Sequence, residues 1–297
     1  MKLTQIKGNT WVLEGYELIP LYKTDETHCV LLDTGVREER EDIEAALLAA
    51  GLTPAGILGS HVHTDHSANH RYFQEKYHIP VALPVGEAGL CRSILNLKSQ
   101  LFVLSPGGTR TVAEDLVVEA DVTVGEADGP VEFCGAVFQI LHTPGHSPDH
   151  ISIITPDDVC YLGDAMVSGD GQEYRVPCNL SHQVAMESRE KLRNLTCQAY
   201  VLAHRGVYDR IDALIDLNQE LILDRAAQIA TLVRESMTLD EIYAAACRHF
   251  DLLSSKVERA NVYEYNLRPF VEFLQDRGDL VVTARGGVRY YGPKSAE

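Results

Sequence analysis

Nowhere in this 297-residue chain do eighteen apolar residues run together, so no helical membrane span is expected. The opening segment, MKLTQIKGNTWVLEG, lacks the apolar core of a secretory signal, and none is expected. Paired cysteines are missing too. The seven present (Cys29, Cys91, Cys134, Cys160, Cys178, Cys197, Cys247) are odd in number and form no C-x-x-C motif, which speaks against a disulfide framework. Most lie in contexts such as HCVLLD or DVCYLGD, where a reduced thiol behaves as a small hydrophobe. A cytoplasmic location fits best. Basic charge is scarce, with 26 Lys and Arg against 43 Asp and Glu and a net charge of -17. That balance argues against a broad footprint on nucleic acid or an anionic membrane. No G-x-S-x-G elbow occurs, so a serine-nucleophile reading has no foothold.

What is present is ordinary for a globular protein: 45% hydrophobic and 23% charged residues, with length enough for one large or two modest domains. TWVLEG, YELIPLY and HCVLLDTG read as strands, and REEREDIEAALLAAGL as a helix with early acids and a Gly51 stop. AGILGS is a short buried strand, SANHRYFQEKYH looks helical and IPVAL strand-like. The alternation suggests an α/β layer. Strand-like runs broken by Gly, Pro and Asp fill VEFCGAVFQILHTPGHSPDHISIITPDDVCYLGD. SHQVAMESREKLRNL is expected to be a helix capped by Ser181, and CQAYVLAH a final buried strand. Beyond His204 come three helical patterns, the second opening on a Thr cap, and then a hairpin around Arg285-Gly286-Gly287. Three helices and a hairpin are the layout of a winged-helix module. The expected domains are 1–208 and 209–297.

The densest chemistry lies in SHVHTDHSANH, residues 60–70, which holds four of the twelve histidines. In an extended segment residues i and i+2 project to one side, so His61 and His63 can bind one ion together. Asp65 and His66 then turn away and can reach a second. Imidazole and carboxylate suit zinc, iron or manganese. Further on, His146 sits in a Pro/Gly turn after a strand, and Asp164 and His204 sit at strand ends. Strand ends that meet on one rim of a sheet form a site. His28, His78 and His249 read as surface residues. His70 and His142 read at most as hydrogen-bond partners of a site. His150 and His182 are open, with His182, Tyr174 or Arg175 as candidates for touching substrate.

H-x-H-x-D-H, a histidine in TPGH, an aspartate in GD and a last histidine after a strand resemble, in that order, the metallo-β-lactamase superfamily. The resemblance covers residues 1–206. It implies an αββα sandwich with two divalent metal ions at one edge, zinc first among them. It assigns His61, His63 and His146 to the first ion, and Asp65, His66 and His204 to the second, with Asp164 bridging. LLDTG resembles the family's early strand, which would make Asp33 a residue that orients a ligand.

The chemistry this implies is hydrolysis by hydroxide held between two metal ions, with Asp65 orienting the nucleophile and shuttling its proton. A thioester or lactone-like small molecule is the favoured substrate. The tail is also similar to that of β-lactamase-like proteins with a C-terminal winged helix, some of them endoribonucleases, so single-stranded RNA is the alternative. Against it, the tail holds more acids than bases and no basic run. A single-iron persulfide dioxygenase and a non-catalytic metal-binding protein complete the set. A homo-oligomer is left open.

Overall fold

A computed structural model describes residues 1–166, 175–204 and 206–294. Seven strands form one sheet in chain order: β1 (Lys2–Lys7), β2 (Thr10–Glu14), β3 (Leu18–Lys23), β4 (His28–Leu32), β5 (Thr53–Leu58), β6 (Val81–Pro84) and β7 (Val122–Val124). The first four pair antiparallel through hairpins, whereas β4 to β7 pair parallel. Parallel neighbours need crossovers, and helices supply them. They are α1 (Arg40–Ala49), α2 (His70–Tyr77), α3 (Val85–Leu90), α4 (Ile94–Gln100) and α5 (Pro106–Ala113).

The second sheet holds β8 (Gly129–Phe133), β9 (Ala136–His142), β10 (Ile151–Ile154), β11 (Val159–Tyr161), β12 (Ala199–Val201) and β13 (Val207–Tyr208), ordered β13-β12-β11-β10-β9-β8. β10 runs antiparallel to both β9 and β11, and β12 parallel to β11. So β9, β11 and β12 all point the same way, and the loops that follow them leave from one rim.

The two-residue period of a strand explains the layering. In β4, Cys29 and Leu31 face a core shared with Ile43 and Leu47 of α1 and Phe73 of α2. Val30 and Leu32 face the opposite way, into a second core with Phe138, Ile140, Ile151 and Val201 of the other sheet. Behind the second sheet, Cys160 and Leu202 meet Leu192 of α6 (His182–Arg193) and Leu214 and Ile215 of α7 (Asp212–Leu232). Helix, sheet, sheet, helix is the resulting order, the αββα arrangement that the family resemblance implies.

A further core joins the far half of α7 to α8 (Leu239–His249), α9 (Val257–Asp276), β14 (Leu280–Arg285) and β15 (Val288–Pro293). Ser181 caps α6 by accepting from the Val184 amide, and Thr238 forms a capping box with Glu241 ahead of α8. Gly286 and Gly287, with φ of 56° and 80°, close the β14–β15 hairpin. Because α7 contributes to both cores, its two halves tie the C-terminal helices to the second sheet. Among the described residues no helix is long and apolar enough to cross a membrane.

Candidate metal centre

β4 and β5 of the first sheet and β9, β11 and β12 of the second all end at the same rim. Beyond β5, residues 59–63 form an irregular segment with a bend at Ser60, and the chain then turns through Asp65 and His66 before α2 begins at His70. The turn is held by the His66 and Ser67 amides, which both donate to the His63 carbonyl. It is this turn, ahead of the helix, that sends Asp65 and His66 away from the pair His61 and His63.

Two groups of side chains converge. His61, His63 and His146 form one; Asp65, His66, Asp164 and His204 form the other, and within each group the ligand atoms lie within 4.8 Å of one another. In the first, His63 Nδ1 is 3.0 Å from His61 Nε2 and 2.8 Å from His146 Nε2. Burial drives the pKa of all three histidines down, that of His63 to about 3. The rings are therefore neutral and bring lone pairs to one point.

Asp164 reaches both groups. Its Oδ1 lies 3.2 Å from His66 Nε2, and its Oδ2 lies 3.3 Å from both His146 Nε2 and His204 Nε2. Asp65 Oδ2 is 3.3 Å from His204 Nε2, and the Asp65 side chain is the more open of the two carboxylates, 29% exposed against 12%. Burial alone would lower the pKa of His204, but the adjoining Asp164 and Asp65 carboxylates raise it to about 10. The same opposition raises His66, where Glu17 and Asp164 outweigh burial.

Four of the five rings have the outward nitrogen engaged, which fixes the tautomer that leaves the inward one free. His61 Nδ1 lies 3.0 Å from Ser60 Oγ, His146 Nδ1 donates to the Cys178 carbonyl at 2.9 Å, and His66 Nδ1 donates to Asp33 Oδ2 at 2.9 Å. For His63 the partner is the Gln100 side-chain amide, 3.1 Å from Nε2. A ring that offers Nδ1 carries its proton on Nε2, so it needs the amide turned with its oxygen toward the ring.

Behind the two groups, the buried carboxylates of Asp33 and Glu87 hold the loops that carry them. Asp33, at φ 65° where LLDTG leaves β4, accepts from the Ser60 amide and hydroxyl, from His66 and from the Tyr161 hydroxyl at 2.5–2.9 Å. Burial works against its charge, yet these bonds and the His66 ring hold its pKa below the usual carboxylate range. Glu87 on α3 accepts from the Val62 amide at 3.0 Å, between His61 and His63. It also accepts from the Ser147 hydroxyl and the Asp149 amide, beside His146. It therefore ties together the two loops that carry the three-histidine group. Burial pushes its pKa up.

Asp33 had a sequence signal in LLDTG. Glu87 and Tyr161 had none, because their partners lie 25 to 128 residues away. His150, open in the sequence, is buried behind Asp164: its Nε2 accepts from the Asp164 amide at 3.0 Å. Gly163, at φ 51°, gives it room, since a Cβ there would stand 2.6 Å from His150 Nε2. His70 donates to or accepts from Thr34 Oγ1 at 2.7 Å and belongs to neither group. His142 lies beside Asp149 and the Gly125 carbonyl. His182, also open in the sequence, is 1% exposed and packs its ring 3.8 Å from that of Phe270, so α9 covers it. Arg175 is spent on the Phe250 and Asp251 carbonyls and the Asp251 carboxylate. Tyr174 lies outside the described residues.

The donor set suits a divalent transition metal. Three neutral imidazoles face each other with at most one shared proton per contact. In the second group His66 Nε2 and Asp164 Oδ1 are buried with no hydrogen-bond partner among the described residues, a costly arrangement that a bound cation relieves.

The sequence and the fold both have known relatives. The chain is 28% identical over 201 residues to the probable metallo-hydrolase YqgX of Bacillus subtilis (strain 168), covering 67% of this chain and 89% of that protein. It is 25% identical over 280 residues to an atrochrysone carboxyl ACP thioesterase of Emericella nidulans, covering 89% and 76%. The fold is similar to the crystal structure of a beta-lactamase domain protein from Burkholderia ambifaria, with a TM-score of 0.75 at 15% identity over 98% of this chain and 94% of that one. The sequence model for the metallo-beta-lactamase superfamily matches residues 6–204. The chain belongs to that superfamily.

Proposed function

We propose that the protein hydrolyses a small acyl substrate, a thioester or a lactone, with two divalent metal ions, zinc first among the candidates. The observation that carries this reading is the meeting of seven side chains in two groups joined by Asp164. His61, His63 and His146 would hold one ion and Asp65, His66 and His204 the other, with Asp164 reaching both. When bound, such ions lower the pKa of water and polarise the oxygen of the bond to be cut.

The protein's own groups do the rest. Asp65 is ionised at neutral pH: hydrogen bonding to His204 and the charges of His66 and His204 outweigh its burial. As the more exposed carboxylate, it can take a proton at Oδ2 and pass it on. Glu87 and Asp33 hold the ligand loops still, so that little reorganisation accompanies the reaction.

A small substrate is supported by the surroundings. A cavity of about 340 Å³ is lined by Phe102, Asn179, Leu180 and, from α9, Tyr265, Arg268 and Glu272. Leu180 donates its amide to the His146 carbonyl, so this wall adjoins the first group. The volume is at the small end for ligand pockets, and its one guanidinium is paired with Glu272 at 3.0 Å. That is poor provision for a phosphate backbone. The thioesterase activity in the name of the Emericella relative points the same way. We read α7 to α9 and the hairpin as a winged-helix-like module that walls the substrate cleft.

The test is a panel on metal-loaded protein: acyl thioesters, lactones, bis-p-nitrophenyl phosphate and single-stranded RNA. Turnover of a thioester or lactone is expected. Turnover of the phosphodiesters alone would overturn the reading.

A further inference from the structure

One side chain of α9 reaches from the C-terminal module toward the three-histidine group. Tyr265 stacks its ring on Phe102, with centroids 5.5 Å and planes 23° apart, and the Arg268 guanidinium lies 4.9 Å from the same Phe102 ring. Phe102 follows directly on α4, which ends at Gln100. Gln100 is 5% exposed, and its amide stands 3.1 Å from His63 Nε2. The Tyr265 hydroxyl is buried as well. Its polar neighbours include the Gln100 amide and the Cys178 thiol, yet it forms no hydrogen bond among the described residues. Next to it, Asn266 donates to the Val176 carbonyl at 3.4 Å, and the Cys178 carbonyl accepts from His146. This stretch of α9 thus backs the segments that hold the outward nitrogens of both His63 and His146.

A buried hydroxyl without a partner is destabilising, and the Gln100 amide can face it in two ways. With its nitrogen toward His63, the amide donates to Nε2, so the ring carries its proton on Nδ1. That tautomer brings no lone pair to the point where the three rings meet, and the Tyr265 hydrogen stays without an acceptor. With its oxygen toward His63, the amide offers two lone pairs. One accepts from His63 Nε2–H and the other from the Tyr265 hydroxyl. Only this arrangement satisfies the hydroxyl and leaves His63 Nδ1 free for metal.

We propose that Tyr265 is a positioning residue of the first metal position. Its hydroxyl holds the Gln100 oxygen toward His63 and thereby fixes the tautomer that binds metal. The C-terminal module then supports the centre itself as well as the cavity beside it. This rests on the reading of His63 as a ligand.

The experiment uses the full chain as wild type, Tyr265→Phe, Gln100→Glu and the double variant. Phe keeps the ring on Phe102 and removes only the hydroxyl, whereas a carboxylate at position 100 turns an oxygen to His63 either way round. Nitrogen NMR of the histidine rings in metal-free protein reports the His63 tautomer, and zinc affinity is measured by competition with a chelator. Wild type should carry the His63 proton on Nε2. Tyr265→Phe should move part of the population to the Nδ1–H tautomer and weaken the zinc held by His61, His63 and His146 about tenfold, with melting unchanged. In the Gln100→Glu background, the same Tyr265→Phe change should alter neither quantity. Unchanged tautomer and affinity in Tyr265→Phe would overturn the proposal. An equal loss in both backgrounds would also overturn it, marking Tyr265 as packing alone. A raised KM with zinc binding and tautomer intact would assign the hydroxyl to substrate instead. A wild type that binds no metal would defeat the ligand reading, while the tautomer in metal-free protein still decides the link from Tyr265 through Gln100 to His63.

Discussion

Around the first group three imidazoles converge with Asp164 alone reaching in, while in the second Asp65 and Asp164 share the space with His66 and His204. The rings respond in opposite directions. Burial depresses the pKa of His61, His63 and His146, whereas neighbouring carboxylates lift those of His66 and His204. One half therefore offers neutral lone pairs at pH 7. The other holds its carboxylates against protons that an incoming ion must displace. Their supports differ in the same way: Glu87 accepts backbone and hydroxyl hydrogen bonds behind the first group, and Asp33 holds His66 itself behind the second. The lesson is that two adjacent sites on one rim can be tuned separately, with Asp164 as their shared member.

Removing that shared member is the harshest test of the comparison. Asp164→Ala should abolish hydrolysis while circular dichroism and cooperative melting persist; a fully active variant would refute the role given to Asp164. A finer break separates the halves. Glu87→Ala should weaken the first ion about 10- to 100-fold, and Asp33→Asn the second by a similar factor. Each variant should leave the other ion near its wild-type affinity in a metal titration. If either weakens both ions equally, the two halves are not independently supported.

A smaller, graded effect should appear with pH. Burial lowers the pKa of His70 to about 4 and those of His150 and His182 to about 3, against about 6.5 when unfolded. Between those values the unfolded chain binds more protons, so stability falls as pH falls. The melting temperature of metal-free protein should hold near pH 7 and decline steadily from about pH 6.5 toward pH 4. A flat profile over that range would contradict the burial of these rings.

Much of the centre was legible because its residues are spaced by backbone geometry. His61, His63, Asp65 and His66 are near neighbours in sequence, and His146, Asp164 and His204 each follow a recognisable strand. Asp33 stood out at the end of LLDTG. What escaped are single letters whose meaning depends on distant partners. Glu87 finds Ser147 60 residues on, and Tyr161 meets Asp33 across 128. Glu17 in GYEL looks like any polar strand edge. His182 stayed open for the same reason: its neighbour Phe270 lies in α9, and no local pattern announces that contact. In the fold, an α/β layer followed from strand and helix periodicity, the αββα order from the family resemblance, and the hairpin from its paired glycines. The short helices α3 to α5 did not, since six to eight residues carry too little periodicity to read.

The central claim is that two ions sit side by side in unlike halves of one centre. Anomalous diffraction from crystals of metal-loaded protein tests it most directly. Two peaks about 3.5–4 Å apart are predicted, one beside His61, His63 and His146, the other beside Asp65, His66 and His204, with Asp164 in contact with both. A single peak, or metal bound away from these residues, would contradict it.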